Sequence, residues 1–413
     1  MIIRGFLGFF LIVAAAWCMS ENRRGFPVRT AVAGLGIQFA LALVLLKVPV
    51  SARVFAWLNR AVLALQEATR QGTSFVFGYV GGGDFPFAVK DSQSTFILAF
   101  QALPLVLVIS ALSAVLFYWG ILPRIVKGFS LLLEKSMRLG GAEGLGVSAN
   151  IFVGMVEAPL LIRPYVSRMT RSELFTLMTS GMATIAGTVM VVYAGILTDV
   201  VPNVMGHILT ASLLSAPAAV VISKIMIPED GELTGAQLKA SDKAAGAMDA
   251  LTRGTLQGME LLLNIIAMII VLVAVVGLIN MVLGILPDIR GESLTLQRML
   301  GWLLSPLVWI MGVPWSEANV AGSLLGTKTV LNELIAYVEM SRLPDGALSQ
   351  KSLLIMSYAL CGFANPGSLG IMIGGLGGIA PDRRGEIVAL GFRSIVAGTM
   401  AACMTGTIAG ILG

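Results

Sequence analysis

The sequence contains a single histidine and three cysteines among 413 residues, and only 12% of its residues are charged. One histidine can form neither a metal cluster nor a catalytic triad, and we interpret His207 as an interfacial residue near a helix end. The cysteines Cys18, Cys361 and Cys403 lie far apart in apolar runs, so they suggest neither a disulfide framework nor a metal site. Because 56% of the residues are hydrophobic and the mean hydropathy is +0.88, the composition excludes a soluble globular protein.

Apolar runs of about 20 residues recur along the chain without the alternation of outer-membrane barrel strands, so they predict membrane-spanning helices. Lysine and arginine concentrate in alternate loops, and the positive-inside rule therefore places those loops in the cytoplasm and both termini outside. A surface helix is expected at Asn59–Gln71. The predicted spans are residues 2–20, 30–49, 96–122, 173–198, 205–227, 256–286, 351–379 and 386–412.

The stretch from Asn150 to Pro164 predicts a re-entrant hairpin, because Pro159 should break an apolar helix near Val153–Pro159. Broken backbone at membrane depth is tolerated only where protein or a water-filled cavity covers it. A carboxylate at that depth costs about 2.5–3.5 kcal/mol on insertion scales, so Glu157 marks a candidate site. A snorkelling or structurally paired glutamate is the alternative interpretation.

The second half of the chain repeats this plan. Gly312-Val-Pro314-Trp-Ser-Glu317 is matched with the first hairpin tip, and the small-polar breaks at Thr184–Thr188 and Asn365–Ser368 are matched with each other. Paired interruptions are typical of secondary transporters with inverted repeats and a midplane site, although glycine and proline are common in membrane helices and could coincide by chance. The predicted regions are a scaffold at 1–95, a first repeat at 96–228 with a hairpin at about 131–165, a cytoplasmic linker at 229–252, and a second repeat at 253–413 with a hairpin at about 298–340.

The run Gly326-Thr-Lys328-Thr-Val-Leu-Asn332-Glu333-Leu-Ile-Ala-Tyr337 resembles the signature of concentrative nucleoside transporters, with Leu334 and Ile335 where that family has phenylalanine and valine. The runs Asn150-Ile-Phe-Val-Gly-Met-Val-Glu-Ala-Pro159, Gly312-Val-Pro-Trp315 and Gly362-Phe-Ala-Asn365 resemble the same family, and the segment order agrees along the whole chain. The resemblance implies an all-α polytopic protein with eight transmembrane helices, two opposed re-entrant hairpins and an inverted-repeat transport core. It further implies a homotrimer in a bacterial cytoplasmic (inner) membrane that binds nucleosides and no nucleic acid.

Residue roles follow from the same resemblance. Glu333, Asn365 and Ser368 are expected to hold the ribose hydroxyls, with Phe363 lining the pocket. The chemistry of a carboxylate fits this role, because a carboxylate that accepts two hydrogen bonds in a low dielectric orients a vicinal diol. Family members that use sodium hold the ion between the first hairpin and the adjacent broken helix. The matching positions here are Asn150, Val153, Thr184 and Ile185.

Nucleobase recognition is expected at the first hairpin tip, where the usual Gly-Gln-Thr-Glu is replaced by Gly154-Met155-Val156-Glu157. Gly-Met at the tip and Thr188-Val189 in the neighbouring helix resemble purine-preferring members. The sequence therefore predicts a sodium-coupled nucleoside symporter that favours purines, and a broad or modified-nucleoside substrate is the alternative.

Several alternatives stay open at this point. A proton on Glu157 could replace sodium as the coupling ion, because burial raises the pKa of a carboxyl group. An intramembrane enzyme would need a nucleophile, a base and metal or phosphate ligands, and a passive channel would need rings of like charge; we find neither pattern. Lys328 is either a charge partner of a carboxylate or a structural residue, and Glu317 is interpreted as closing a hairpin tip.

Overall fold

The computed structural model describes residues 2–88, 95–155, 157–235, 244–289, 291 and 293–413. These residues form helices, turns and loops, with no β-strand among them. The prediction for Val156 and part of the predicted linker, residues 236–243, lie outside the described residues.

Three helices precede the first repeat: α1 (Ile2–Cys18), α2 (Val28–Lys47) and α3 (Pro49–Phe77). The helix that was predicted at Asn59–Gln71 is thus longer at both ends. α3 can start at Pro49 because a proline in the first turn needs no hydrogen-bond donor.

The segment predicted as the first repeat, residues 96–228, contains nine helices among its described residues, and three of them have five residues or fewer. Its elements are α4 (Leu98–Gln101), α5 (Leu105–Tyr118), α6 (Ile121–Met137), α7 (Gly141–Asn150), α8 (Glu157–Leu161), α9 (Arg163–Val166), α10 (Arg171–Ala183), α11 (Gly187–Ile196) and α12 (Val204–Met226). The hairpin break predicted near Val153–Pro159 falls between α7 and α8, and Pro159 sits in the first turn of α8, where proline is tolerated. The predicted break at Thr184–Thr188 is confirmed between α10 and α11.

The helices after residue 246 cover the segment that was predicted as the second repeat, residues 253–413. Its elements are α13 (Ala247–Leu283), α14 (Leu296–Met311), α15 (Trp315–Val330), α16 (Glu333–Ser341), α17 (Gln350–Ala359), α18 (Pro366–Ile379) and α19 (Arg384–Leu412). The break predicted at Asn365–Ser368 lies between α17 and α18, with Asn365 as the N-cap of α18.

One predicted match between the halves is corrected by the structure. Gly312–Pro314 joins α14 to α15, which meet at a bend of 116°, and this corner lies away from the cavity described below. The break that faces the first hairpin is Leu331–Asn332, between α15 and α16. Sequence matching favoured the glycine–proline corner because those residues mark turns in general, whereas Asn332 marks this break only as a helix N-cap.

The core lies around α10, α12 and α19, which pack on one another. In the most apolar 18-residue windows of α10–α11 and of α12, 94% of the residues are buried, whereas 11% are buried in that of α13, so α13 forms an outer face. Six helical segments in the described part of the chain are long and apolar enough to cross a membrane, or seven with the bent pair α14–α15. α18 and the segment Arg4–Cys18 of α1 are apolar but shorter.

Candidate functional site

A cavity opens near four helix breaks, those between α7 and α8, α10 and α11, α15 and α16, and α17 and α18. Its wall comes from α5, the first hairpin tip, α11, α13, the start of α16 and the start of α18. Its lining residues include Gly154, Met155, Glu157, Ala186, Val189, Tyr193, Asn264, Asn332, Glu333, Phe363, Asn365 and Ser368.

Glu333 is the polar centre of one side of the cavity. Asn332 caps α16 by accepting a hydrogen bond from the backbone N–H of Ile335 at 2.9 Å, which makes Glu333 the first residue of the helix. A carboxylate in that position is stabilised by the positive end of the helix dipole. Its Oε1 accepts a hydrogen bond from the Tyr193 hydroxyl at 2.6 Å, and its Oε2 accepts one from the Asn365 amide at 3.1 Å.

Asn365 has two partners that fix its orientation. While its Nδ2 donates to Glu333, its Oδ1 accepts from the backbone N–H of Ser368 at 2.8 Å and so caps α18. Asn365 and Ser368 are both buried. Carboxylate, amide and hydroxyl groups therefore converge from α16, α18 and α11, an arrangement that can both donate to and accept from a polyhydroxylated ligand.

The cavity also has an apolar side. Met155 and Val189 are buried at its wall, while Glu157 is exposed toward the cavity. Gly154 has a φ of +103°, and a Cβ there would lie 2.8 Å from Glu157 Oε2 and 2.9 Å from the Cβ of Ala186. Glycine is thus required at this tip by both backbone conformation and space.

Next to the cavity, the first hairpin is bonded to the break between α10 and α11. The Gly187 N–H donates to the Phe152 carbonyl at 3.0 Å, and the Thr184 hydroxyl lies 3.2 Å from the Asn150 carbonyl and 2.9 Å from that of Ser180. Asn150 Nδ2 donates to the Leu177 carbonyl at 3.5 Å, while its Oδ1 is buried and accepts no hydrogen bond from the described residues. An orphaned amide oxygen beside hydroxyl and carbonyl oxygens is a donor set suited to a hard cation.

The structure brings most of the predicted site residues together. Eight of them line the cavity: Gly154, Met155, Glu157, Val189, Glu333, Phe363, Asn365 and Ser368. Thr188 is buried but does not line it, and Val156 lies outside the described residues. Of the four predicted sodium ligands, Thr184 bonds the Asn150 carbonyl, while Val153 and Ile185 lie in the breaks that follow α7 and α10.

Sequence reasoning missed Tyr193, Asn264 and Asn332. A buried tyrosine hydroxyl needs a hydrogen-bond partner, so Tyr193 in an apolar run was a usable signal, but its partner lies 140 residues away. Asn264 is a polar residue in the long apolar helix α13, which is also a recognisable feature of a site in a membrane protein.

Three other polar residues hold the fold together outside the cavity. Lys328 Nζ donates to the Ala359 carbonyl at 2.9 Å and forms no ion pair with a carboxylate of the described residues. Glu317 accepts from the backbone N–H and the hydroxyl of Ser349, at 3.0 and 3.1 Å, and so ties the start of α15 to that of α17. His207 lies 3.0 Å from the Tyr358 hydroxyl through its Nδ1.

Family models match three parts of the chain. Residues 7–80 match a model described as Na+ dependent nucleoside transporter N-terminus, and residues 207–410 match the C-terminus model of the same description. Residues 99–199 match a model described as nucleoside recognition.

Several curated proteins are similar over nearly the whole chain. An uncharacterized transporter of Haemophilus influenzae is 38% identical over 99% of this chain and 97% of its own length. Nucleoside permease NupC of Helicobacter pylori is 33% identical over 98% of this chain and 96% of its own length. Sodium/nucleoside cotransporter 1 of Rattus norvegicus is 33% identical over 98% of this chain, which spans 63% of that longer protein.

Solved structures share the fold. CNTnw in an inward-facing substrate-bound state is 35% identical, with a TM-score of 0.91 over 99% of this chain and 98% of that one. A doubly substituted CNTnw in an outward-facing state gives a TM-score of 0.92 at 35% identity, over 100% of this chain and 97% of the other.

Proposed function

The chain belongs to the concentrative nucleoside transporter family, and from that premise we propose that it is a secondary active symporter that takes up nucleosides with sodium. Its relatives are transporters rather than enzymes. The observation that carries the proposal is the convergence of Glu333, Tyr193 and Asn365 in one cavity that also has an apolar wall. A nucleoside has the same division, with a polyhydroxylated sugar at one end and a flat ring at the other.

On the polar side, Glu333 would accept hydrogen bonds from the ribose hydroxyls, with Asn365 and Ser368 completing the contact. The carboxylate already has two ordered donors, so its oxygens are held in place before the ligand arrives. Phe363 would lie against the sugar or the ring.

On the apolar side, Met155 and Val189 would lie against the base, and Glu157 would hydrogen-bond its polar edge. Met155 is unbranched and polarizable, which suits contact with an aromatic ring. A purine preference is supported by the apolar side chain of Met155 at the tip, since an apolar pocket discriminates weakly among substituents.

For sodium, the proposed ligands are the side-chain oxygens of Asn150 and Thr184 and the backbone carbonyls of Val153 and Ile185. The buried Oδ1 of Asn150, which accepts no hydrogen bond from the described residues, supports this assignment, because an orphaned acceptor is costly unless a cation or donor compensates it.

In the membrane, we propose eight spanning helices, two opposed re-entrant hairpins around α7–α8 and α15–α16, and alternating access to the cavity. Both termini would face outward in a bacterial cytoplasmic membrane, and three copies would assemble. The exposed apolar surface of α13 supports burial against lipid or neighbouring copies.

The deciding experiment is uptake of labelled adenosine and uridine into proteoliposomes under an imposed sodium or proton gradient, with unlabelled nucleosides and free bases as competitors. We expect uphill uptake with sodium, competition by nucleosides and poor competition by adenine or uracil. Uptake that persists without sodium and follows the pH gradient would assign coupling to a proton, with Glu157 as its carrier. Equal competition by free bases would contradict the assignment of Glu333 and Asn365 to ribose.

A further inference from the structure

We propose that the ammonium group of Lys328 takes, in the second half of the chain, the place that the coupling sodium takes in the first half, so that one sodium accompanies each nucleoside. The inference rests on the proposed sodium symport and extends it to the number of ions. The observation behind it is that the last carbonyl groups of the half-helices α10 and α17 have different partners.

The two half-helices occupy corresponding places in the chain. α7 packs against α10, and α15 packs against α17. In each half the next helix of the hairpin begins with a glutamate that lines the cavity, Glu157 in α8 and Glu333 in α16. Each half-helix then ends at a break, and the chain resumes in α11 or α18.

A helix leaves its last four carbonyl groups without partners inside the helix, and these form the negative end of the helix dipole. In α17 every one of them is satisfied. Their partners are the Leu360 N–H on Met356 (2.8 Å), the Tyr337 hydroxyl on Ser357 (2.8 Å), the Cys361 N–H on Tyr358 (3.1 Å) and Lys328 Nζ on Ala359 (2.9 Å).

The end of α10 lacks such a set. The Ser180 carbonyl accepts from Thr184, but within the described chain no hydrogen bond reaches the carbonyls of Gly181, Met182 and Ala183. The buried Oδ1 of Asn150, from the hairpin helix packed on α10, is also without a described partner. At the end of α10 the first half therefore offers several oxygens, and no lysine or arginine of the described residues bonds them.

Lys328 is suited to act as that cation in the second half. Its side chain is fully buried, and a buried charge must be compensated. Lys224, the other buried lysine among the described residues, is compensated by two carboxylates, Glu143 at 2.8 Å and Glu229 at 3.0 Å. Lys328 instead meets a carbonyl oxygen at a helix C-terminus, which is how oxygen dipoles hold a monovalent ion.

The test replaces the ammonium group of Lys328 with an uncharged amide, the group that Asn150 carries in the first half. For the unsubstituted protein and Lys328→Asn, equilibrium binding of radioactive sodium is counted per chain, and the sodium dependence of nucleoside uptake is measured in proteoliposomes. We expect about one bound sodium and a Hill coefficient near 1 for the unsubstituted protein, and about two sodium ions and a coefficient that rises toward 2 for Lys328→Asn. Lys328→Gln, which is closer in volume to lysine, provides the same measurement if the asparagine variant does not fold.

Two controls isolate the charge. Lys328→Arg keeps a cation and should keep about one sodium. Lys224→Met removes a buried lysine that has carboxylate partners, and it should not raise the number of sodium ions even if it lowers stability. An unchanged sodium count and unchanged sodium dependence in folded Lys328→Asn or Lys328→Gln would overturn the inference while leaving sodium symport intact. Sodium-independent uptake by the unsubstituted protein would overturn the coupling itself and this inference with it.

Discussion

The two sides of the cavity are built differently. On the polar side, Glu333, Tyr193 and Asn365 come from three helices and are joined by hydrogen bonds of 2.6 and 3.1 Å. On the apolar side, Met155 and Val189 offer only shape and contact area, with Glu157 as the carboxylate. Loss of one partner in a buried polar cluster leaves the others unsatisfied, whereas an apolar wall changes its preference gradually with volume. We therefore expect the polar side to decide whether a substrate is transported and the apolar side to decide which one.

Among substitutions on the polar side, Glu333→Gln should lower nucleoside uptake the most. A glutamine amide would set its NH2 group against the Asn365 NH2 or the Tyr193 hydroxyl, both of which donate to Glu333. A lost partner at a buried charged group costs about 3 kcal/mol, so we expect nucleoside uptake to fall by about 100-fold. Glu339→Gln, on the same helix but bonded to Thr327 outside the cavity, is the matched control in the same uptake assay.

Asn365→Ser separates binding from capping. Serine still caps α18, as asparagine does now, but its side chain is too short to reach Glu333. We expect an unfolding temperature near that of the unsubstituted protein and nucleoside uptake about tenfold lower, corresponding to about 1.4 kcal/mol. A variant that unfolds early yet transports normally would show that Asn365 acts only as a cap.

Tyr193→Phe removes one donor to the Glu333 carboxylate and leaves the cavity shape intact. The net loss of a hydrogen bond to a charged group is about 1.5–3 kcal/mol, part of which water or substrate hydroxyls can restore. We expect a several-fold higher KM for nucleosides, a larger rise for ribosides than for 2′- or 3′-deoxy analogues, and little change in expression. An equal rise for all analogues would place Tyr193 outside ribose recognition.

The apolar side is tested by Met155→Gln combined with Val156→Thr, which restores polar residues at the tip. If the unsubstituted protein prefers purines, this double variant should bring uridine and cytidine uptake up relative to adenosine, inosine and guanosine. The expected change in preference is about tenfold, or about 1–2 kcal/mol, because new polar groups reject ligands that leave them unpaired. Uridine taken up better than adenosine before any substitution would contradict the purine assignment.

The smallest expected effect lies outside the cavity, at Glu21 in the loop between α1 and α2. Glu21 accepts hydrogen bonds from Arg171 at 3.0 Å and from Arg393, and the bond from Arg171 lowers the pKa of its carboxyl group. A carboxyl group with a lowered pKa stabilises the folded protein above its ordinary pKa of 4.5, and this contribution is lost as the pH falls through the lowered value. Because the pair is partly exposed, we expect Glu21→Gln to cost less than about 1 kcal/mol.

The measurement is the unfolding temperature at pH 7 and at pH 3 for Glu21→Gln, for the unsubstituted protein, and for Glu232→Gln at an exposed loop position. The unfolding temperature of Glu21→Gln should lie below that of the unsubstituted protein at pH 7, and this difference should be smaller at pH 3. Glu232→Gln should show no such pH dependence. A difference that grows toward acid would have the wrong sign for this ion pair.

Local features of the sequence were sufficient for the helical breaks. The runs around Thr184 and Asn365 contain small, polar or proline residues inside apolar helices, and both breaks fall where these residues predicted them. The motif around Glu333, the tip around Glu157, the pair Thr188-Val189 and the run at Gly362–Ser368 together identified eight residues that line the cavity. These features are visible because hydropathy, proline and N-caps act within a few residues of their own position.

The remaining features depend on contacts between distant residues. Only the tertiary structure shows that Leu331–Asn332, and not Gly312–Pro314, faces the first hairpin, because both breaks carry turn residues and packing alone separates them. It likewise pairs Tyr193 with Glu333 and Lys328 with Ala359. A polar residue in an apolar run shows by itself that a partner is needed, since an unpaired group is costly there. Which partner it finds depends on how the helices pack, and that is decided by the whole chain.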